Sequence, residues 1–267
     1  MPELHSTSSK AQSALPEKKR KMHQRIRPWI LSGVIVGLLS GLVWTHPFVL
    51  FPHRIEVSGV QLCSDRPFSE ADARVLIEDT IQRMQAIPDW KPSKGLSAFI
   101  CNSTWRRRLF FFPSSKAGGL AYYLLPHSFF SGGDIALNQL IRYDGQAVTD
   151  ERTLSYFLAH EFTHIHHERT VGTWRFHRTP DWIKEGYADF VGRGDAWERS
   201  TAKEGFLNNS PEMTTPVIAP YLRFNLLFSY YHIQMGQSVE SLSMHPTSRE
   251  EAEATLMKAL VDKRPSS

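Results

Sequence analysis

Residues 160–164 read His-Glu-Phe-Thr-His, and this short run restricts the fold more than any bulk property of the chain. On a helix, His160 and His164 stand one turn apart on one face, so both imidazoles reach a single metal ion. Glu161 projects beside them, where a carboxylate can take a proton from water. Leu158, Ala159, Phe162 and Ile165 make the opposite face apolar, which predicts a buried helix whose ligand face lines a cleft. Catalytic zinc takes three protein ligands and leaves one position open. A third ligand must therefore come from elsewhere in the chain.

Several residues compete for that role. His167 shares the face but lies seven residues from His160, about 10.5 Å along a helix and too far for both to meet one ion. His166 points away and is expected to be solvated. His177 follows a break near Gly172 and can in principle bend back. Glu185 lies in the run Pro180-Asp181-Trp182-Ile183-Lys184-Glu185-Gly186-Tyr187-Ala188-Asp189-Phe190, with Asp189 one helical turn beyond it. Trp182 and Phe190 in that run are expected in the core.

The two segments together resemble the gluzincin metallopeptidases, thermolysin-like enzymes, and in particular their small peptidase-MA-like domains. The resemblance covers residues 150–195 strongly and 215–240 loosely. It implies that Glu185 is the third zinc ligand, ahead of His177, and that Glu161 is the general base of peptide-bond hydrolysis. It also implies an Asp189 carboxylate that accepts the free N–H of a ligand imidazole. A transition-state donor is expected among Tyr221, Tyr230, Tyr231 and His232, with Tyr221 placed first. The Gly-x-x-His continuation of the metzincins is absent, since Ile165-His166-His167-Glu168-Arg169-Thr170 follows the motif. So is the Gly-x-Met-Glu-Asn signature of gluzincin aminopeptidases, which favours an endopeptidase. The competing function is a catalytically inactive metal-binding pseudo-peptidase or interaction module, although pure metal binding has no need of Glu161.

Around the motif, Ala71, Val75, Ile77, Ile81 and Met84 recur at helical spacing after a capping Ser69, with Asp72 three positions on and Pro88 as the stop. Leu96–Cys101, Leu109–Phe112, Leu120–Leu125 and Ile135–Ile141 read as short strands, and Ile135–Asn138 as an edge that an extended substrate could pair with. Thr149 or Asp150 is the expected cap of the motif helix. Further helices are predicted at Asp181–Val191, Ala219–Met235 and Arg249–Val261. This order predicts an α+β domain over residues 54–267, with a small, mainly antiparallel sheet packed on the motif helix and a helical C-terminal part.

Ahead of the domain, Ile30–Trp44 carries no charge, and Trp29–Phe51 as a helix covers about 34 Å, enough for a bilayer core. Lys18-Lys19-Arg20-Lys21, Arg25 and Arg27 precede it. Residues 1–28 therefore read as a disordered basic cytoplasmic tail and 29–51 as a single-pass signal anchor, with the domain periplasmic or extracellular. A cleaved signal peptide is the rival reading. Gly33, Gly37 and Gly41 form a stripe that permits a homodimer through this helix.

The first 28 residues hold net +5 of the chain's +4, leaving −1 over the remaining 239, so the domain has no electrostatic footprint for nucleic acid. Its partner is instead a peptide or protein substrate. Cys63 and Cys101, the two cysteines, are either bridged, closing a loop worth about 4 kcal/mol, or two separate thiols.

Overall fold

The computed structural model describes residues 41–88, 90–91, 95–114, 116–122, 125–214 and 219–262. The tail 1–28, most of the expected anchor, and Gly33 and Gly37 lie outside them. The chain divides into residues 1–49 and a domain that starts at Leu50. Residues 41–45 are helical, with no atom near enough to touch a Cβ at Gly41. Among the described residues no helix is long and apolar enough to cross a membrane.

The domain begins with a hairpin. β1 (His53–Val57) and β2 (Val60–Ser64) pair antiparallel, with Val57 opposite Val60. The two residues between them, Ser58 and Gly59, both have positive φ (51° and 83°), as a twisted two-residue hairpin turn requires. Helix α1 (Glu70–Met84) follows. The Ser69 hydroxyl accepts from the Asp72 N–H, acids fill the first turn, and Ala73, Leu76, Ile77 and Met84 are buried along one side.

β3 (Leu96–Ile100) then lies parallel to β2, and β5 (His127–Phe130) parallel to β3. β4 (Gly119–Tyr122) closes the sheet antiparallel to β5, giving the order β1-β2-β3-β5-β4. The sheet is therefore mixed, correcting the mainly antiparallel expectation. α1 and a helix between β3 and β4 act as crossovers that return the chain in the same direction. Every residue of β3 is buried, as expected of a central parallel strand covered on both faces.

That second crossover, α2 (Thr104–Phe111), occupies the place expected for a strand at Leu109–Phe112. Its aromatic run suits a strand by propensity, but Phe110 and Phe111 are buried on one side of a helix while Phe112 is exposed. Phe110 stacks on Phe129 with ring centroids 4.2 Å apart, and Phe51 and Phe99 complete this layer. Cys63 and Cys101 are buried and unbridged, so the disulfide alternative is not realised. Burial pushes the Cys63 thiol up to about 12 and Cys101 well above its ordinary value.

The expected strand Ile135–Ile141 shrinks to a two-residue ladder between β6 (Gly133–Asp134) and β7 (Gln139–Leu140), with Ile135–Asn138 forming its turn. That segment cannot offer an extended edge. The helical half begins at α3 (Leu154–Val171), capped by Thr153, whose hydroxyl accepts from the Tyr156 N–H; Thr149 and Asp150 lie too far upstream. Then come α4 (Thr173–Arg178), α5 (Asp181–Arg193), α6 (Ser200–Leu207), α7 (Pro211–Thr214) and α8 (Ala219–Ser229). A π-helical turn, Tyr230–Gln234, continues α8, and α9 (Val239–Met244) and α10 (Arg249–Asp262) end the domain.

The core joins the α1 and α3 side of the sheet to the helical half. Leu62, Ala98, Ile100, Ala121 and Phe130 face Leu76, Ile77, Leu158 and Phe162, with Trp182, Phe190 and Phe228 farther in. Trp182 is buried and donates from Nε1 to the Thr247 carbonyl. α5 and α8 cross with almost no space between them: a Cβ at Gly186 would lie 2.4 Å from the Phe224 carbonyl oxygen. This crossing explains the glycine that follows Glu185.

Candidate metal centre

α3 and α5 pack side by side and bring three side chains to one point. His160 Nε2 and His164 Nε2 are 3.2 Å apart, and Glu185 Oε2 lies 3.2 Å from the first and 3.5 Å from the second. Ligands about 2.0–2.1 Å from a tetrahedral ion are about 3.3–3.4 Å from one another, so these atoms already form one face of a zinc tetrahedron. Both imidazoles are buried, while the Glu185 carboxylate keeps 29% of its surface exposed. The fourth side is thus the solvent side.

Electrostatics support the same assignment. Three electron-pair donors this close repel one another unless positive charge sits between them. Burial opposes a charge on His160, yet Glu185 raises its affinity for a proton above the ordinary value. Burial likewise opposes the Glu185 charge, but His164 and His160 hold its carboxyl well below the usual range. The cluster thus favours positive charge at its centre, and a proton on His160 supplies it here.

No family model, curated protein or solved structure matches the chain. The site must be judged on its own chemistry. Two neutral imidazoles and one carboxylate suit zinc.

Glu161 is buried beside the triangle. Burial raises its pKa against the pull of His160 and His164, and the Ala121 backbone N–H donates to it. It therefore lies on the free edge of β4. A Cβ at Gly119 would come within 2.5 Å of Glu161 Oε1, so the glycine is what lets strand and base approach. Gly118, Gly119, Tyr156, His160, Glu161 and Tyr221 line a cleft of about 100 Å³ at this point. A larger cavity of about 530 Å³, lined by Ser64, Arg66, Asn102 and Asp134 among others, opens beyond the carboxyl ends of β2, β3 and β5. None of the three ligands lines it.

Tyr221 reaches the site: its ring meets His160 edge-on with centroids 5.4 Å apart. Burial, with the Glu185 and Glu161 carboxylates, raises its pKa and keeps the phenol a donor. The other candidates stay away. Tyr231 packs on Trp182, Tyr230 on Trp197, and His232 Nδ1 bonds the Gln237 carbonyl.

Asp189 corrects the expectation drawn from the resemblance. It is fully buried but accepts from Tyr156 Oη (2.5 Å), Arg193 Nε (3.0 Å) and Asn225 Nδ2 (3.0 Å). The Nδ1 atoms of His160 and His164 have no hydrogen-bond partner among the described residues. Asp189 thus acts on the site through Tyr156, whose ring packs on His160 at 5.8 Å. The sequence reading missed Tyr156, although its place four residues before His160 puts it on the ligand face. Arg193, one turn beyond Asp189 on α5, was legible by spacing, whereas Gly119, Ala121 and Asn225 carried no local signal.

The other histidines around the motif stay outside the triangle. His166 is half-buried near Thr170, and His177 is exposed. His167 is fully buried, and burial pushes its pKa down to about 3. The Ser243 hydroxyl donates to the Val239 carbonyl and so accepts from His167 Nε2 at 2.8 Å.

Proposed function

We propose that the chain is a zinc-dependent metallopeptidase of gluzincin type, held to a membrane by the uncharged stretch from Trp29, cut short of the expected Phe51 because that ring is buried in the domain, and that it cleaves within peptide chains. One observation carries this reading: His160, His164 and Glu185 place their donor atoms 3.2–3.5 Å apart with one side open, and a buried Glu161 stands beside them. When bound, zinc supplies Lewis acidity, drawing the pKa of a coordinated water toward about 7 and polarising a carbonyl oxygen.

The chain's own groups do the rest. Glu161, its basicity raised by burial, takes the proton from water and returns it to the leaving amine. Tyr221 O–H donates to the oxygen on which negative charge develops. β4 is the sheet's edge strand, and an extended peptide can add to its backbone beside Gly119 without regard to side-chain identity. Glu161 must then release the Ala121 N–H. Tyr156, fixed by Asp189, holds the His160 ring in place.

The test is a pair of variants assayed for bound zinc and for cleavage of an unfolded protein substrate. Glu161→Gln is expected to keep the metal and lose about 10²–10⁴-fold in rate, whereas His160→Ala loses both. Undiminished cleavage by Glu161→Gln would end the assignment of the base, and zinc retained at full affinity by His160→Ala would end the assignment of the site.

A further inference from the structure

Helix α2 carries a feature that neither the core nor the metal centre uses. Trp105, Arg108, Leu109 and Phe112 fall on one stripe at helical spacing. Trp105 is 50% and Phe112 80% exposed, Arg108 is exposed and Leu109 half-buried. Arg106 lies over the Trp105 ring, 4.3 Å from its centroid. Arg108 has no ion-pair partner among the described residues. From Ser103 to Gly133 the chain has four cations (Arg106, Arg107, Arg108 and Lys116) and no acid. Arg106 is paired with Asp65 at 3.4 Å, which leaves Arg107 and Arg108 without a carboxylate partner among the described residues. Exposed aromatic rings beside such arginines suit a membrane interface, where rings sit at headgroup level and cations meet anionic lipid.

The position of α2 says which surface this is. Arg106 Nε donates to the Leu50 carbonyl at 2.8 Å, and its guanidinium lies over the Phe51 ring. Leu50 and Phe51 close the uncharged stretch Trp29–Phe51. Five residues separate Trp44 from Leu50, at most about 20 Å of chain. Phe51 itself is buried against α2, so a bilayer can hold only what precedes it, and a tether this short keeps α2 within reach.

We propose that the Trp105–Arg108–Phe112 stripe rests on the anionic surface of the bilayer that holds the uncharged stretch ahead of Leu50, so that the metal centre faces away from it. The proposal rests on the membrane-anchor reading above. The orientation follows from the sheet. Phe129, which stacks on α2, and Phe130, which packs with the α3 side, are consecutive residues of β5 and point to opposite faces. α2 and α3 therefore lie on opposite sides of one sheet. With α2 down, the cleft opens to polypeptides in solution or standing clear of the membrane, and lipid-embedded segments are out of reach.

The experiment uses the full chain in vesicles containing brominated lipid, comparing neutral vesicles with vesicles carrying an anionic lipid. Wild type is expected to lose more tryptophan emission than Trp105→Phe in anionic vesicles, and the excess to fade in neutral ones. Arg108→Glu is expected to shift the docked-to-undocked ratio about tenfold or more toward undocked. Co-sedimentation with vesicles but no Trp105 quenching overturns the docking proposal and leaves the anchor standing. Failure to co-sediment at all overturns the anchor reading, and the docking proposal with it. Shielding of Trp105 from an aqueous quencher without vesicles, growing with protein concentration, assigns the stripe to a second copy of the chain and also overturns the proposal.

Discussion

Over one face of the sheet, α3 buries His160, Glu161 and His164, with Asp189 and Arg193 behind them. Over the other face, Phe51, Phe99, Phe110 and Phe129 stack, with His127 and Tyr122 edge-on to the layer and the Arg106–Asp65 ion pair at its rim. Both layers are buried, although the first opens to solvent at the Glu185 carboxylate. Apolar rings stabilise simply by leaving water, whereas each buried ionisable group costs desolvation that its partners must offset. A fold that needed only stability would pack both faces like the second. The cluster of buried ionisable groups beside α3 is what the proposed chemistry calls for.

The sharpest contrast comes from cutting each layer. Asp189→Ala leaves the buried Arg193 without one of its two partners and the Tyr156 hydroxyl without its acceptor. The expected loss is about 3–5 kcal/mol in chemical denaturation, with weakened zinc affinity as Tyr156 loosens. Phe110→Leu in the aromatic layer is expected to cost about 1–3 kcal/mol while leaving zinc affinity unchanged. If Phe110→Leu lowers zinc affinity as much as Asp189→Ala does, the two faces are not independent and the comparison fails.

A smaller effect is expected from pH. The proton on His160 must leave before a metal binds, and its folded pKa lies above the ordinary histidine value. Zinc affinity should therefore fall as pH drops through that raised value, by about tenfold, or 1.4 kcal/mol, per unit for one displaced proton. Without metal the linkage runs the other way: stability from His160 is complete below the unfolded pKa and fades as pH rises through the folded one. Metal titrations across pH 5–8 that show a flat affinity would contradict this.

The two faces also differ in how far the sequence disclosed them. The metal face was legible because its chemistry sits at fixed helical intervals: His160 to His164, Glu185 to Asp189, and the apolar residues opposite them. What Asp189 binds was not fully so: Arg193 stands one turn beyond it on α5, but Tyr156 and Asn225 reach it from α3 and α8. On the other face, Leu109–Phe112 suited a strand by composition, and only packing on Phe129 decides for a helix. The β1–β2 hairpin went unread although Val57-Ser58-Gly59-Val60 has the turn chemistry for it. Whether parallel or antiparallel pairs dominate the sheet depends on β5 choosing β3, a pairing between segments far apart in the chain that no local pattern records.

The central claim is that His160, His164 and Glu185 form a single zinc site. Anomalous diffraction at the zinc edge, on protein purified without chelators and supplied with one equivalent of zinc, tests it most directly. The account predicts one peak about 2.0–2.2 Å from His160 Nε2, His164 Nε2 and a Glu185 oxygen. A peak elsewhere, or one that touches the two histidines while Glu185 points away, would contradict it.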